Sequence, residues 1–187
     1  MRHFSRAPDR ERTFCLLYEA VRPDLLRFIQ RRAHPDQTED VAAEAFLVVW
    51  RRLEDVPALP GDARAWIFGI ARNILLNTHR GDLRRHALGV RLADAAALVD
   101  AEDVDVVLQR VDLARAWTHL SEAHQEALGL AVFDDLSAPQ AAAVLGISPV
   151  AFRLRLSRAR RTLRLLLEHL PRPCSTPAVP LERTPTP

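Results

Sequence analysis

Apolar positions recur at helical spacing through most of this chain, and that periodicity makes an all-α protein the expected fold class. Two small helical domains joined by a flexible linker are expected, the second a four-helix domain with a helix-turn-helix. The boundaries fall at residues 9–85 for the first domain, 86–103 for the linker and 104–170 for the second domain, with a disordered proline-rich tail over 171–187. Residues 9–18 read as a first helix with Phe14, Leu17 and Tyr18 inward, and Arg22-Pro23 marks a break or a new start. Leu25, Leu26, Phe28 and Ile29 carry the helical pattern to about Ala33, where His34-Pro35-Asp36 stops it. Asp36 or Thr38 is expected to cap the next helix, whose inward stripe is Val41, Ala42, Ala45, Phe46, Val49 and Leu53. Val48 and Trp50 widen that stripe beyond one core face, which fits either a protein-binding surface or extra burial in a small bundle.

A loop containing Pro57, Pro60 and Gly61 leads into a long helix from Asp62 to about Arg80. Ile67, Ile70, Ala71, Ile74 and Leu75 supply its buried side. On another side Trp66, Asn73, Asn77, Arg80 and, if the helix persists, Arg84 project within about 40° of one another. Such a face suits a nucleic-acid strand, since amides bond base edges, guanidiniums neutralise phosphates and an exposed indole stacks on an unpaired base. Ordinary packing at the bundle edge explains Trp66 equally well, and a solvated face is the plain alternative for the two asparagines.

Beyond Gly81 the pattern dissolves into small and charged residues. It resumes near Val104, where Val106, Val107, Val111, Leu113 and Trp117 form one helix, and Ser121-Glu122 opens another that Asp134-Asp135 ends. Ser137 and Pro139 then begin a short helix of small residues, Gly146 supplies a tight turn, and Ser148-Pro149 restarts the chain as an N-cap followed by a first-turn proline. In the final helix Phe152, Leu156, Ala159, Leu163, Leu166 and Leu167 share about a third of the wheel. Arg153, Arg155, Arg158, Arg160, Arg161 and Arg164 occupy the rest, with no acidic residue between Ser148 and Leu167. An unbalanced cationic face of this kind is suited to phosphates, a solvated helix face being the alternative.

Composition changes this picture little. The hydrophobic share of 48% and charged share of 27% are those of a soluble globular chain, and a net charge of +2 argues for no partner by itself. The distribution is more telling, because the last helix is basic while residues 94–112 hold six acids against Arg110 alone. Cys15 and Cys174 have no nearby cysteine, so neither a zinc site nor a disulfide framework is indicated; Cys15 is expected to pack in the first bundle. No signal-peptide core or membrane-length apolar run occurs, which makes a cytoplasmic protein without membrane insertion the expectation. With no catalytic triad, metal cluster or phosphate-cradling glycine loop, neither enzymatic activity, nor a metal, nor a cofactor is expected.

Three blocks together resemble the bacterial RNA polymerase sigma factors of the extracytoplasmic-function (ECF) group, which retain only the second and fourth conserved regions of that family. TEDVAAEAFLVVWRRL is similar to the helix that docks on the β′ clamp of core polymerase, and ARAWIFGIARNILLNTHR to the helix that recognises and opens the minus-ten promoter element. LSAPQAAAVLGISPVAFRLRLSRARRTL resembles the fourth-region helix-turn-helix, which reads the minus-thirty-five element and contacts the β flap. The resemblance implies polymerase contacts at Glu39, Asp40, Phe46 and Trp50, and minus-ten contacts at Trp66, Arg72, Asn73, Asn77, Arg80 and Arg84. It implies minus-thirty-five contacts at Ser148, Ala151, Arg153, Arg155, Arg158 and Arg161, with Phe152 as core anchor.

Core polymerase and promoter DNA are therefore the implied partners, with an anti-sigma protein allowed but not required. The chain departs from the family pattern at Gln140, where an acidic residue is usual, and at Ala151, Phe152 and Asn77. A stand-alone helix-turn-helix regulator is the alternative, though it leaves the Trp66, Asn73 and Asn77 face without a purpose.

Overall fold

The computed structural model describes residues 6–78, 88–92 and 104–169, and within these every regular element is helical. Helix α1 spans Arg6–Gln30, α2 Thr38–Arg51 and α3 Pro60–Thr78, with single 3-10 turns at Pro35–Gln37 and Leu53–Asp55. In the second half α4 spans Val104–Thr118, α5 Glu122–Val132, α6 Ala138–Leu145 and α7 Pro149–His169. The expected linker boundary and the proline-rich tail fall largely or wholly outside the described residues, as do Arg80, Arg84 and Cys174.

The break expected at Arg22-Pro23 does not occur. Pro23 lies inside the 25-residue α1, and both it and Glu19, whose carbonyl loses its helical partner, face solvent, where water can take the place of the missing N–H. Neither Asp36 nor Thr38 caps α2. Gln37 is the N-cap, because the 3-10 turn draws the Thr38 N–H back to the Pro35 carbonyl and leaves the Thr38 hydroxyl buried without a partner. Glu39 and Asp40 do occupy the first turn, where the helix dipole favours negative charge. Cys15 is exposed rather than packed, since α1 turns Phe14 and Leu17 toward the core and leaves the next face to solvent.

The two halves do not form separate cores. Val21, Leu25, Phe28 and Ile29 of α1, Val41 to Val49 of α2 and Ile67 to Leu75 of α3 pack in one cluster with Ala127, Leu130, Leu136, Ala141, Ala142, Val144, Leu145 and Phe152. Phe28 stacks on Phe68 with centroids 4.6 Å apart. A smaller cluster of Val90, Trp117, Leu120, Leu128 and Ala159 completes the second half.

Small residues allow the close approach. A Cβ on Gly69 of α3 would stand 3.8 Å from the Val144 Cα on α6, and one on Gly129 would stand 3.2 Å from Val90 and 3.3 Å from Arg32. Within the expected linker, residues 88–92 have no regular secondary structure but are pinned. Leu88 and Val90 are buried, the Val90 N–H donates to Gln125 Oε1 at 3.1 Å and its carbonyl accepts from the Trp117 indole. The Arg91 N–H donates to the Arg31 carbonyl at 2.9 Å.

Candidate nucleic-acid interface

The helix-turn-helix is built by local signals. The Ser137 N–H donates to Gln140 Oε1 at 3.1 Å, closing a Ser-x-x-Gln capping box on α6. Gly146 ends the helix at φ 65° and ψ 33°, a left-handed conformation that a Cβ disfavours, and the Ile147 N–H bonds back to the Ala142 carbonyl at 3.0 Å. Ser148 then caps α7 by accepting from the Ala151 N–H at 3.2 Å, with Pro149 at the first helical position.

Phe152 and Ala159 anchor α7 in the core, and Leu156, Leu163 and Leu166 pack beside them; Leu167, expected in the same stripe, is 41% exposed. On the opposite side Ser148, Ala151, Arg153, Arg158, Arg160, Arg161 and Arg164 are exposed and Arg155 is half-buried. None of these arginines forms an ion pair with a described residue. Arg153, Arg160, Arg161 and Arg164 line a shallow depression of about 440 Å³ together with Leu156 and Ser157.

On α3 the expected face is only partly presented. Asn73 and Asn77 are exposed, whereas Trp66 is half-buried with the Arg52 guanidinium 5.4 Å from its ring centroid. Trp66 and Asn73 line one wall of an open groove of about 480 Å³ whose other wall is Pro139, Gln140 and Ala143 of α6. Arg72 does not lie on this face at all. It is buried, its Nε donating to Glu126 Oε1 at 2.6 Å and its Nη2 to Glu126 Oε2 at 3.1 Å, so that α5 holds the side chain expected to meet DNA. Sequence spacing left Arg72 adjacent to Asn73, but a helix turns about 100° between them, which is enough to put one inside and the other out.

At the first-half surface Glu39 and Asp40 are exposed, and Glu39 pairs with Arg22 at 3.2 Å. Phe46 is 5% exposed and belongs to the core, so it does not present a contact surface in this arrangement. Trp50 is half-buried in an aromatic group, edge-on to Phe14 at 5.2 Å, with the Arg10 guanidinium 5.2 Å from its ring. The wide stripe on α2 is therefore in part extra burial.

Sequence reasoning missed the polar contacts between the halves. Asp134, buried at the end of α5, accepts from Arg32 at 2.8 Å and from Arg31 at 3.2 Å. Arg64 of α3 donates to the Asp134 carbonyl at 2.9 Å and the Asp135 carbonyl at 3.2 Å while its other nitrogen holds Asp24 at 2.9 Å. Burial pulls the Arg32 guanidinium below its ordinary value, and the neighbouring Asp134 carboxylate opposes that shift. Burial alone would raise the Asp24 carboxyl, but hydrogen bonds from Arg64 and Arg27 outweigh it and hold the group below its usual 3.8. Gln140 spans the halves as well, its Nε2 donating to Asp62 Oδ1 at 3.0 Å.

Residues 17–88 match the family model for sigma-70 region 2, and residues 110–163 match the model for sigma-70 region 4. The ECF RNA polymerase sigma factor SigL of Mycobacterium tuberculosis is 31% identical over 135 residues, 72% of this chain and 76% of that protein. The chain is a sigma factor of the ECF group.

CnrH, an RNA polymerase sigma factor of Cupriavidus metallidurans, is 32% identical to it over 141 residues, 70% of this chain and 73% of that one. The structure of CnrH in complex with the cytosolic domain of CnrY superposes with a TM-score of 0.57 at 28% identity, over 84% of this chain and 89% of that one. Bartonella quintana RpoE, solved with the anti-sigma factor NepR, shares the fold with a TM-score of 0.54. As a sigma factor the protein binds core RNA polymerase and promoter DNA and directs transcription initiation at specific promoters. Among the described residues no helix is long and apolar enough to cross a membrane.

Proposed function

We propose that this sigma factor is a non-catalytic, cytoplasmic specificity subunit whose residues 9–85 serve core polymerase and the minus-ten element and whose residues 104–170 serve the minus-thirty-five element. In this reading Ser148, Ala151, Arg153, Arg155, Arg158 and Arg161 meet the minus-thirty-five duplex, the N-terminal part of α7 entering the major groove while the guanidiniums bind phosphates. Trp66, Asn73, Asn77 and, after release from Glu126, Arg72 meet the minus-ten strand, joined by Arg80 and Arg84. Unstacked bases held there offset a few kcal/mol of unpairing cost. Glu39, Asp40 and Trp50 contact the β′ clamp, and the second half reaches the β flap.

The observation that carries the reading is the α7 face, where the arginines, all exposed but the half-buried Arg155, are unpaired with any described acid while Phe152 locks the helix to its scaffold. Capture by an anti-sigma protein belongs to the same reading, supported by the complex in which CnrH has been solved. The stand-alone regulator is not favoured, because it gives the region 2 match no task.

Transcription from a fragmented genomic library, with core polymerase alone, with the wild-type protein and with Trp50→Ala, Asn77→Ala or Arg155→Ala, tests the assignment. Discrete protein-dependent start sites are expected. Trp50→Ala should weaken them through core binding, and Asn77→Ala and Arg155→Ala through promoter binding. Unchanged start sites in all three variants would remove these residue roles.

A further inference from the structure

We propose that Val150 and Leu154 are sequence readers of this sigma factor, an apolar ridge at the front of α7 that recognises thymine C5-methyl groups in the minus-thirty-five element. The inference rests on the proposed seating of α7 in that duplex and names the base chemistry the helix selects.

Both side chains stand in solvent, Val150 70% exposed and Leu154 50% exposed. They lie about one turn apart on α7, and each is about 160° round the helix from Phe152, which fixes α7 to the core. The ridge therefore points away from the scaffold. Arginines run along both flanks, Arg153, Arg160 and Arg164 about 80° to one side and Arg155 and Arg158 about 90° to the other, while Arg161 continues the ridge line about two turns beyond Leu154.

A major groove has the complementary cross-section, since two phosphate backbones bound a floor of base edges on which thymine alone presents a methyl group. An apolar ridge between two cationic rows fits it. An apolar protein surface would match the ridge but would bury the flanking guanidiniums beside it, and none of these is paired with a described acid.

The side chains present narrow the choice of base. Adenine is read by Asn or Gln, cytosine by an acidic acceptor, guanine by arginine and thymine by apolar contact. From Ser148 to Leu156 the chain has neither an amide side chain nor a carboxylate. The Ser148 hydroxyl oxygen already accepts from the Ala151 N–H at 3.2 Å as the helix cap. What remains is Arg153 and Arg155 for guanine and the ridge for thymine, with the short Ala151 beside it. Four residues of helix cover about 6 Å, close to two base-pair steps of about 3.4 Å. The element should therefore carry two thymines about two steps apart, on either strand.

The test uses holoenzyme assembled from the full chain and core polymerase, bound to a promoter obtained from the genomic-library transcription. Each thymine of the minus-thirty-five element is replaced in turn by uracil, which pairs identically and lacks only the methyl group. Wild type is expected to lose affinity by about threefold to fourfold at two positions. Val150→Ala should abolish the loss at one of them and Leu154→Ala at the other, each variant binding the unmodified promoter about as weakly as wild type binds the matching uracil form. Because both side chains are exposed, neither substitution should move the thermal midpoint. Arg158→Ala should instead weaken thymine and uracil templates alike.

Indifference of wild type to uracil at every position overturns the proposal. So do Val150→Ala and Leu154→Ala proteins that lose the same affinity on both templates, which would mean that the ridge meets polymerase or another protein. A library without any protein-dependent start site would overturn the seating of α7 itself, whereas start sites with uracil-indifferent elements would overturn the methyl contact alone.

Discussion

Arg32 and Asp134 meet at 2.8 Å with both side chains sealed from solvent, although 102 positions separate them in the sequence. The Arg32 guanidinium also lies 3.7 Å from the Phe28 ring centroid and donates to the Phe28 carbonyl at 2.9 Å. Removing one partner of such a pair leaves the other as an uncompensated buried charge. Asp134→Ala is therefore expected to cost about 3–5 kcal/mol, whereas the double replacement Arg32→Met, Asp134→Leu should cost much less. Urea denaturation of the three proteins measures the difference, and an equal loss in single and double variants would contradict the pairing argument.

Two backbone positions should respond in opposite ways to substitution. Gly146 holds φ 65° at the helix-turn-helix corner, so Gly146→Ala should destabilise by about 1–2 kcal/mol. Asp135 holds φ 46°, the one non-glycine residue at positive φ among those described, and Asp135→Gly should be neutral or mildly stabilising. Thermal midpoints of the pair, measured side by side, check the sign of each.

Asp24 gives the fold an acid limit. Its folded carboxyl lies below the ordinary 3.8, so the stability it contributes is fully present above that value and is lost as pH falls through the lower folded value. Wild type and Asp24→Asn should differ in urea midpoint at pH 6 and converge in that acidic window. A difference that persists unchanged into strong acid would assign the effect to packing instead of charge.

Phe46 and Asp40 separate stability from docking. Phe46→Ala should cost about 3–5 kcal/mol because a buried ring is deleted from the shared core, and any loss of polymerase binding should follow the loss of fold. Asp40 is exposed, so Asp40→Ala should leave the denaturation midpoint within about 0.5 kcal/mol of wild type while weakening the complex with core polymerase. Co-sedimentation with core alongside denaturation distinguishes the two.

Arg158 is expected to contact phosphate from its exposed place on α7. Arg158→Ala should weaken holoenzyme binding across promoters and lower the slope of log affinity against log salt by about 1. A loss confined to one promoter sequence would instead mark Arg158 as a base reader.

How much of this was legible in the sequence follows the range of each signal. The helix-turn-helix was readable because Ser137, Gln140, Gly146, Ser148 and Pro149 act within a few residues of themselves. Pro23 misled because a proline breaks a helix only when its lost hydrogen bond cannot be replaced, and solvent replaces it here. The burial of Arg72 was illegible for a different reason, since its partner Glu126 lies 54 residues away and no local pattern reports it. The small residues of α6 carried a hint of close approach to another helix, but not of which one. Trp117 was visible as an inward residue; that its indole would pin the connector at Val90 was not.

The same separation sets an order of arrival during synthesis. Arg72 leaves the ribosome 54 residues ahead of Glu126, a delay of roughly 3–10 s at ordinary elongation rates. Until the later helices follow, the first half has no carboxylate from the second to hold Arg72 and no Phe152 to fill the core it shares. Each newly made molecule thus begins life with Arg72 and the inward face of the first half uncovered, and buries them only when the later helices are complete.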